Sequence, residues 1–144
     1  MNKIKLLGLI GLSIFISSFA VWAGDFDGSR PLLFSVSSAI ECTPDNGCRA
    51  VTVDSVDLPR FLKIDLNKKT IGPASESDTR PASTIERMER VDGKLILQGA
   101  EDGYESVRDG LGWTIAIAEG NGRVVMTASG DQVAFVVFGA CLPL

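Results

Sequence analysis

The sequence of 144 residues predicts an all-β, mainly antiparallel protein. The expected architecture is a small up-and-down barrel or sandwich of about seven to nine strands, with room for one short helix. Three observations favour this class. Apolar and polar side chains alternate with a period of two in many short segments. Asp-Gly, Gly-Asn-Gly and Gly-Asp turn sequences separate those segments. Residues 24–144 are enough chain for a single β domain with one apolar core.

The first 23 residues have the layout of a secretory signal peptide. Two lysines open the segment, an apolar run follows, and residues 21–23 fit a cleavage site before Gly24. A permanent membrane anchor is the alternative, but the apolar run ends in two serines with no basic flank. We therefore expect a periplasmic or secreted protein that keeps no stable membrane insertion once the signal is removed.

The next elements are a strand-or-helix segment and a cysteine loop. Residues 32–40 alternate like a strand but also carry apolar residues at helical spacing, and we predict a strand. Cys42 and Cys48 flank turn-forming residues in what would be an oxidising compartment, so we expect a Cys42–Cys48 disulfide. Cys141 is then a buried thiol or an intermolecular link, and its pairing with one of the other two stays open.

The middle of the chain contains a predicted strand over residues 62–66 and a predicted hairpin. Residues 83–86 match a helix capping box, so residues 84–91 have a helical alternative. We predict a strand there as well, because so short a helix is marginal and Asp92-Gly93 is a type I′ turn sequence. Residues 94–99 form the returning strand.

Two polar linkers and a final meander complete the prediction. The linkers are residues 72–82 and 100–110. The meander consists of residues 113–118, 124–126 and 133–138. Residues 135–138 are apolar on both faces, so one face would meet the core, and the other would be covered or would form an interface patch.

Composition excludes several classes of function. The chain has no His, which excludes Ser-His-Asp and Cys-His catalysis and His-ligated zinc. Loss of the two lysines of the signal segment takes the net charge from −4 to −6, which disfavours nucleic acid and anionic lipid as partners. No phosphate-binding, dinucleotide-binding or paired-cysteine motif occurs, so we expect no cofactor, no metal and no enzymatic activity.

Five residues are candidates for a ligand site. A two-residue turn at Asp92-Gly93 would place Glu86, Met88 and Arg90 on the more apolar face of the hairpin, where a Glu–Arg pair could orient a ligand; a solvated ribbon is the alternative. Trp113 opens a buried strand and either plugs a barrel end or stacks on a ligand. Tyr104 stands among acidic residues in a loop that could be solvated or contact a partner.

Several segments are similar to small exported proteins of Gram-negative bacteria with no assigned function. The similarity lies in residues 27–33, the Cys42 to Cys48 loop, residues 58–62 and the ending Phe138-Gly139-Ala140-Cys141. It implies no catalytic or ligand residues.

These observations predict an exported, non-enzymatic binding module for a small or lipid-like ligand. The alternative is a protein-facing role as an inhibitor or envelope accessory protein, and an enzyme of unknown type is third. A closed lumen lined by Trp113, Met88 and Arg90 would favour the ligand. A filled core with an exposed Phe and Val face would favour the protein partner.

Overall fold

The computed structural model describes residues 26–103 and 105–144. The predicted signal peptide, residues 1–23, and the candidate Tyr104 lie outside the described residues. Within the described part the chain forms ten strands and a 3-10 turn at Val53–Val56. The strands are β1 (Leu32–Thr43), β2 (Gly47–Val51), β3 (Phe61–Asp65), β4 (Thr70–Pro73), β5 (Ser83–Thr84), β6 (Arg87–Val91), β7 (Lys94–Glu101), β8 (Leu111–Ala118), β9 (Arg123–Gly130) and β10 (Val133–Pro143).

All the strands pair antiparallel in one sheet that curls into a half-barrel. Their order is β5-β4-β3-β1-β10-β9-β8-β7-β6, and β2 pairs with β1 outside this path. The predicted all-β, antiparallel class is therefore confirmed. There are ten strands against about seven to nine expected, because residues 83–91 divide into two short strands and the cysteine loop adds β2.

Local sequence accounts for the meander and the hairpin. Along β9, exposed and buried residues alternate from Arg123 to Ala128, as a strand with one face on the core requires. Asp92 and Gly93 both have positive φ, at 49° and 70°, which a type I′ turn needs. The hairpin therefore has the predicted register, with Arg90 opposite Leu95 and Met88 opposite Leu97.

The two segments with helical alternatives are both extended. Residues 32–40 lie in β1, and residues 84–91 belong to β5, β6 and the link between them. Ser83 does not cap a helix, because its backbone pairs with Ile71 and its side chain binds Trp113. The 3-10 turn lies instead at Val53–Val56, where Thr52 Oγ1 accepts the backbone N–H of Ser55.

The β5–β6 segment connects the two ends of the sheet. Ser83 and Thr84 pair with β4, and the N–H of Ile85 donates to the carbonyl of Lys69 at 2.8 Å. One residue later, the N–H of Glu86 donates to the carbonyl of Gln98 on β7 at 2.9 Å. Backbone groups at both ends of the curled sheet are thus satisfied by one continuous stretch of chain, which limits the exposed edge.

Large apolar side chains occupy the interior of the curled sheet. The buried cluster comprises Leu32, Phe34, Ala39, Val53, Leu62, Ile64, Ile71, Ile85, Leu95, Leu97, Trp113, Ile115, Ile117, Val124, Met126, Ala128, Val137 and Cys141. These residues come from β1, β3, β4 and β7–β10 and from the links between strands. Of the two interiors considered from the sequence, a closed lumen and a filled core, the structure corresponds to the filled core.

The β1–β2 hairpin carries the predicted disulfide. Cys42 and Cys48 are directly opposite each other in the register and are bonded, with Cα atoms 4.0 Å apart. Cys141 is free and lies in the core. Among the described residues, no helix is long and apolar enough to span a membrane.

Candidate functional site

Trp113 is a core residue that also borders a surface cleft. Its side chain is 3% exposed, and its indole N–H donates to Ser83 Oγ at 2.9 Å. The Ser83 hydroxyl is itself buried and lies 3.4 Å from the carbonyl of Ala100. The indole therefore fills the end of the interior and has its polar atom satisfied, as expected for the plug that the sequence offered as one alternative.

The other described candidates lie on an exposed ribbon. Every residue of β6 is exposed, including Met88 and Arg90, although their cross-strand partners on β7 are fully buried. Arg90 pairs with Glu119 at 3.0 Å and donates to the carbonyl of Asp27, and so is not paired with Glu86. The exposure of β6 agrees with the solvated ribbon, the alternative to a hairpin face that lines a ligand site.

Glu86 and Trp113 both border a shallow depression on the outside of the sheet, next to Gln98 and Thr114. Met88 and Arg90 line neither this depression nor the cleft described below. The structure therefore does not bring the four described candidates into one pocket. Their assignment to a ligand site stays a prediction.

The segment of residues 26–31 covers one end of the half-barrel. Gly28 lies so close to Leu66 and Leu95 that a Cβ at this position would collide with the Leu66 side chain. A Cβ added at Gly122 would likewise lie 2.5 Å from the Phe26 ring, so the glycine allows this ring to pack closely. Asp27 Oδ1 accepts the backbone N–H of Ser29 at 2.8 Å, and this bond lowers the pKa of the Asp27 carboxyl.

The opposite end of the half-barrel holds an open cleft of about 480 Å³, here called the end cleft. Its floor is apolar and mostly buried, and includes Leu62, Ile71, Trp113 and Met126. Val56, Leu58, Pro59 and Leu111 form further apolar walls. Its volume and apolar floor are typical of sites for small ligands.

Charged residues surround the mouth of the end cleft. They are Asp57, Arg80, Glu101, Asp102 and Asp109. Four carboxylates thus face one guanidinium, so the mouth has a negative balance. Arginine and carboxylates at a cleft whose walls are apolar focus the local field more strongly than the same charges on an open surface.

Arg80 is held by two aspartates. It binds the Asp78 carboxylate through several hydrogen bonds and contacts Asp57 through both the side chain, at 3.1 Å, and the backbone carbonyl, at 2.7 Å. The side-chain hydrogen bonds from Arg80 lower the pKa of Asp78 and correspondingly raise that of Arg80. Arg80 was not among the residues predicted from the sequence, because it lies in a polar linker with no periodic pattern.

The acidic loop after β7 has a tight neck beside the cleft. A Cβ at Gly103 would collide with Asp109 and Gly110, so the backbone closes on itself there. A Cβ at Gly110 would lie 2.9 Å from the carbonyl of Glu101. The glycines permit this close approach of the two ends of the loop.

Strands β8, β9 and β10 form the second candidate surface, here called the outer face. Its members are the side chains that point away from the core in three adjacent strands, paired in continuous register. They are Gly112, Thr114, Ala116 and Ala118 on β8, Arg123, Val125, Thr127 and Ser129 on β9, and Ala134, Val136, Phe138, Ala140 and Leu142 on β10. Arg123 is the only charged residue among these described positions.

The outer face has an apolar centre. Phe138 is 38% exposed and lies directly opposite Val125, which is 41% exposed. Val125 is in turn opposite Ala116 on β8, and Ala116 is opposite Ile96 on β7. The prediction for residues 135–138 offered a covered or an exposed second face, and here it is exposed: Val137 is buried and Phe138 faces solvent.

Cys141 is the free cysteine of the described residues, and its thiol is buried. Burial raises the pKa of Cys141 to about 12, so this thiol stays protonated at neutral pH. Within residues 26–103 and 105–144, no three Cys, Asp or Glu side chains are grouped so that they could hold a metal ion.

Comparisons with protein-family models, curated proteins and solved structures gave no match to this chain. Any functional argument therefore comes from the end cleft and the outer face themselves.

Proposed function

We propose that this protein is an exported, non-enzymatic binding module that uses its outer face to bind another protein with an uncharged, apolar surface. The periplasm or the extracellular space is the expected compartment. The Cys42–Cys48 disulfide is compatible with such an oxidising location, and the signal-peptide pattern of residues 1–23 points the same way.

The observation that carries the proposal is the absence of acidic residues from the outer face. The chain has 18 Asp and Glu residues, and none of them occupies an outward position of β8, β9 or β10. A solvated sheet face normally alternates apolar residues inside with charged and polar residues outside. A face whose only charged residue is Arg123 and whose centre is aromatic avoids most of the desolvation cost that charges would impose on a contact surface.

The chemistry of the partner follows from the same surface. A strongly basic partner would be recruited by carboxylates, and the outer face has none. Small side chains such as Ala116, Thr114 and Ala140 project little from the sheet, so another sheet or a helix can approach its backbone closely. Phe138 and Val125 would then be the central anchors.

The filled interior supports this function over a ligand held in a lumen. Leu95, Leu97, Ile115 and Ile117 are fully buried inside the curled sheet. A small or lipid-like ligand is the second candidate function, and the end cleft is the observation that favours it.

Site-specific photo-crosslinking in living cells tests the proposal. A photoreactive amino acid at Val125 should give a discrete adduct with another protein, whereas the same group at Val107 should not. Val107 is the matched control because it is an exposed valine, at 66%, that lies in the acidic loop. The yield of the adduct at position 125 should be the same at about 0.05 M and about 0.5 M salt, because salt does not screen apolar contacts.

The variant Phe138→Lys should lower the yield of the position-125 adduct at least about tenfold, because it places a charge at the centre of the contact. Adducts at position 107 alone, or a crosslinking yield at position 125 that falls as salt rises, would reject the outer face as the binding surface. An adduct of twice the mass of the chain would assign this face to self-association and would also reject the proposed role.

A further inference from the structure

We propose that the end cleft binds a small organic cation, that is, a molecule with an apolar body and a positively charged amine. This inference rests on the cleft alone and is independent of the outer face, which lies on the outside of the sheet. It names a chemical class for the second candidate function.

The shape of the cleft favours an apolar body. The side chains of Leu62, Ile71 and Met126 form a buried floor, and the cleft volume of about 480 Å³ suits a molecule of modest size. Residues 26–31 cover the other end of the half-barrel, so this ligand would enter only from the mouth. Binding an apolar group here would remove both ligand and floor from water.

The charge at the mouth favours a cation. Asp57 and Arg80 are paired with each other, and their charges offset. Glu101 and Asp102 make no ion pair within the described residues, and each is exposed at the rim. An amine held at the mouth would gain Coulomb attraction from these two carboxylates while its apolar body stays on the floor.

The same charges exclude anions. A fatty acid or another carboxylate would bring a negative charge close to Glu101 and Asp102. Its apolar part would fit the floor equally well, so the electrostatic term alone separates the two classes of ligand.

Trp113 gives a direct readout of this site. The chain contains two tryptophans, Trp22 and Trp113, so the variant Trp22→Phe leaves Trp113 as the only one. Trp113 lines the cleft, and its fluorescence should respond when the floor is covered. The probes are 4-phenylbutylamine, 4-phenylbutanol and 4-phenylbutyrate, which share one apolar body and differ in charge.

We expect saturable fluorescence changes with the amine at neutral pH, at an affinity at least about tenfold higher than for the carboxylate. The alcohol should lie between them. Equal affinity for the three probes, preference for the carboxylate, or no saturable change with any probe would overturn the inference.

A pair of matched variants separates the cleft from the net charge of the protein. Glu101→Gln combined with Asp102→Asn should reduce the affinity for the amine about tenfold and leave the alcohol unchanged. Asp45→Asn combined with Asp92→Asn removes the same charge from residues that do not line the cleft, and should change the affinity by less than about twofold. Equal losses in both double variants would contradict a specific cation site.

Discussion

The hydrogen bond between Trp113 and Ser83 joins the interior to the β5–β6 segment. Trp113 comes from β8, and Ser83 lies at the start of the stretch that connects the two ends of the sheet. Both side chains are buried, so neither polar atom can be satisfied by bulk water if its partner is lost. A single pair of residues thus links core packing to the curvature of the sheet.

Removing the acceptor should destabilise the fold. Ser83→Ala leaves the buried indole N–H without a partner, which we expect to lower the free energy of unfolding by about 1–3 kcal/mol. Chemical denaturation followed by circular dichroism measures the change. Ser37→Ala is the control, because Ser37 also donates to a backbone carbonyl but is exposed, and it should cost less than about 0.5 kcal/mol. Equal costs would contradict the role assigned to Ser83.

Cys141 should make stability depend on alkaline pH. Burial raises the pKa of its thiol to about 12, whereas the unfolded thiol titrates near its ordinary value of 9.0. The folded state therefore holds a proton that the unfolded state releases, so stability is lost as pH rises above about 9. Relative to Cys141→Ala, the free energy of unfolding of the natural chain should fall by up to about 1.4 kcal/mol per pH unit.

Denaturation curves recorded for both chains between about pH 8 and pH 11 measure this difference. Lys and Tyr titrations are common to the two proteins and cancel in the comparison. Parallel pH profiles would show that burial does not keep the Cys141 thiol protonated at alkaline pH.

At the scale of elements, Gly99 allows the two ends of the sheet to meet. A Cβ at this position would collide with the carbonyl of Thr84 on β5 and with the Trp113 ring. Gly112 on β8, which is paired with Ala100, has open space where a Cβ would lie. The two glycines lie in paired strands, but only Gly99 is in a place where a side chain would collide with its surroundings.

Gly99→Ala should destabilise the protein by at least about 2 kcal/mol, because backbone and indole must both move to admit the methyl group. Gly112→Ala should be neutral or slightly stabilising, since alanine loses less chain entropy than glycine. Thermal and urea unfolding of the two variants provide the measurement. A Gly99→Ala protein as stable as the Gly112→Ala protein would contradict the close approach of β5 and β7.

Sequence patterns predicted the elements well where one face is buried. The alternation in residues 113–138 and the Asp92-Gly93 turn predicted the meander and the hairpin, because each depends on neighbouring residues. The capping-box pattern at residues 83–86 competes with a tertiary contact, the Trp113–Ser83 bond, which local sequence does not reveal. The division of residues 83–91 between two strands likewise depends on tertiary contacts, because one part of the segment pairs with β4 and the other with β7.

The candidate sites were less predictable because they depend on the whole molecule. The register of Met88 and Arg90 followed from the turn. Their exposure arises because β6 is the last strand in the sheet order, which the turn alone does not reveal. Arg80 and Leu58 reach the end cleft only through the course of two linkers. The apolar residues of β10 were predicted from the sequence. The continuation of this face across β8 and β9, which carries no acidic residue, could be identified only from the strand pairing.

At the scale of the whole molecule, acidic charge and apolar surface are separated. Carboxylates surround the end cleft and occupy turns such as those at Glu119 and Asp131, whereas the outer face has none. The interior is filled, so within the described residues the proposed binding surfaces are the outer face and the end cleft. The proposed binding function depends on this separation of charge from apolar surface.

Hydroxyl-radical footprinting shows whether a partner covers the outer face in the cell. Oxidation of Phe138 would be compared with that of Phe61, which is also an exposed phenylalanine but lies on β3, outside the outer face. We expect Phe138 to be protected in intact cells relative to the purified protein, and Phe61 to be oxidised equally in both. Equal oxidation of Phe138 in cells and in purified form would contradict a partner bound at the outer face.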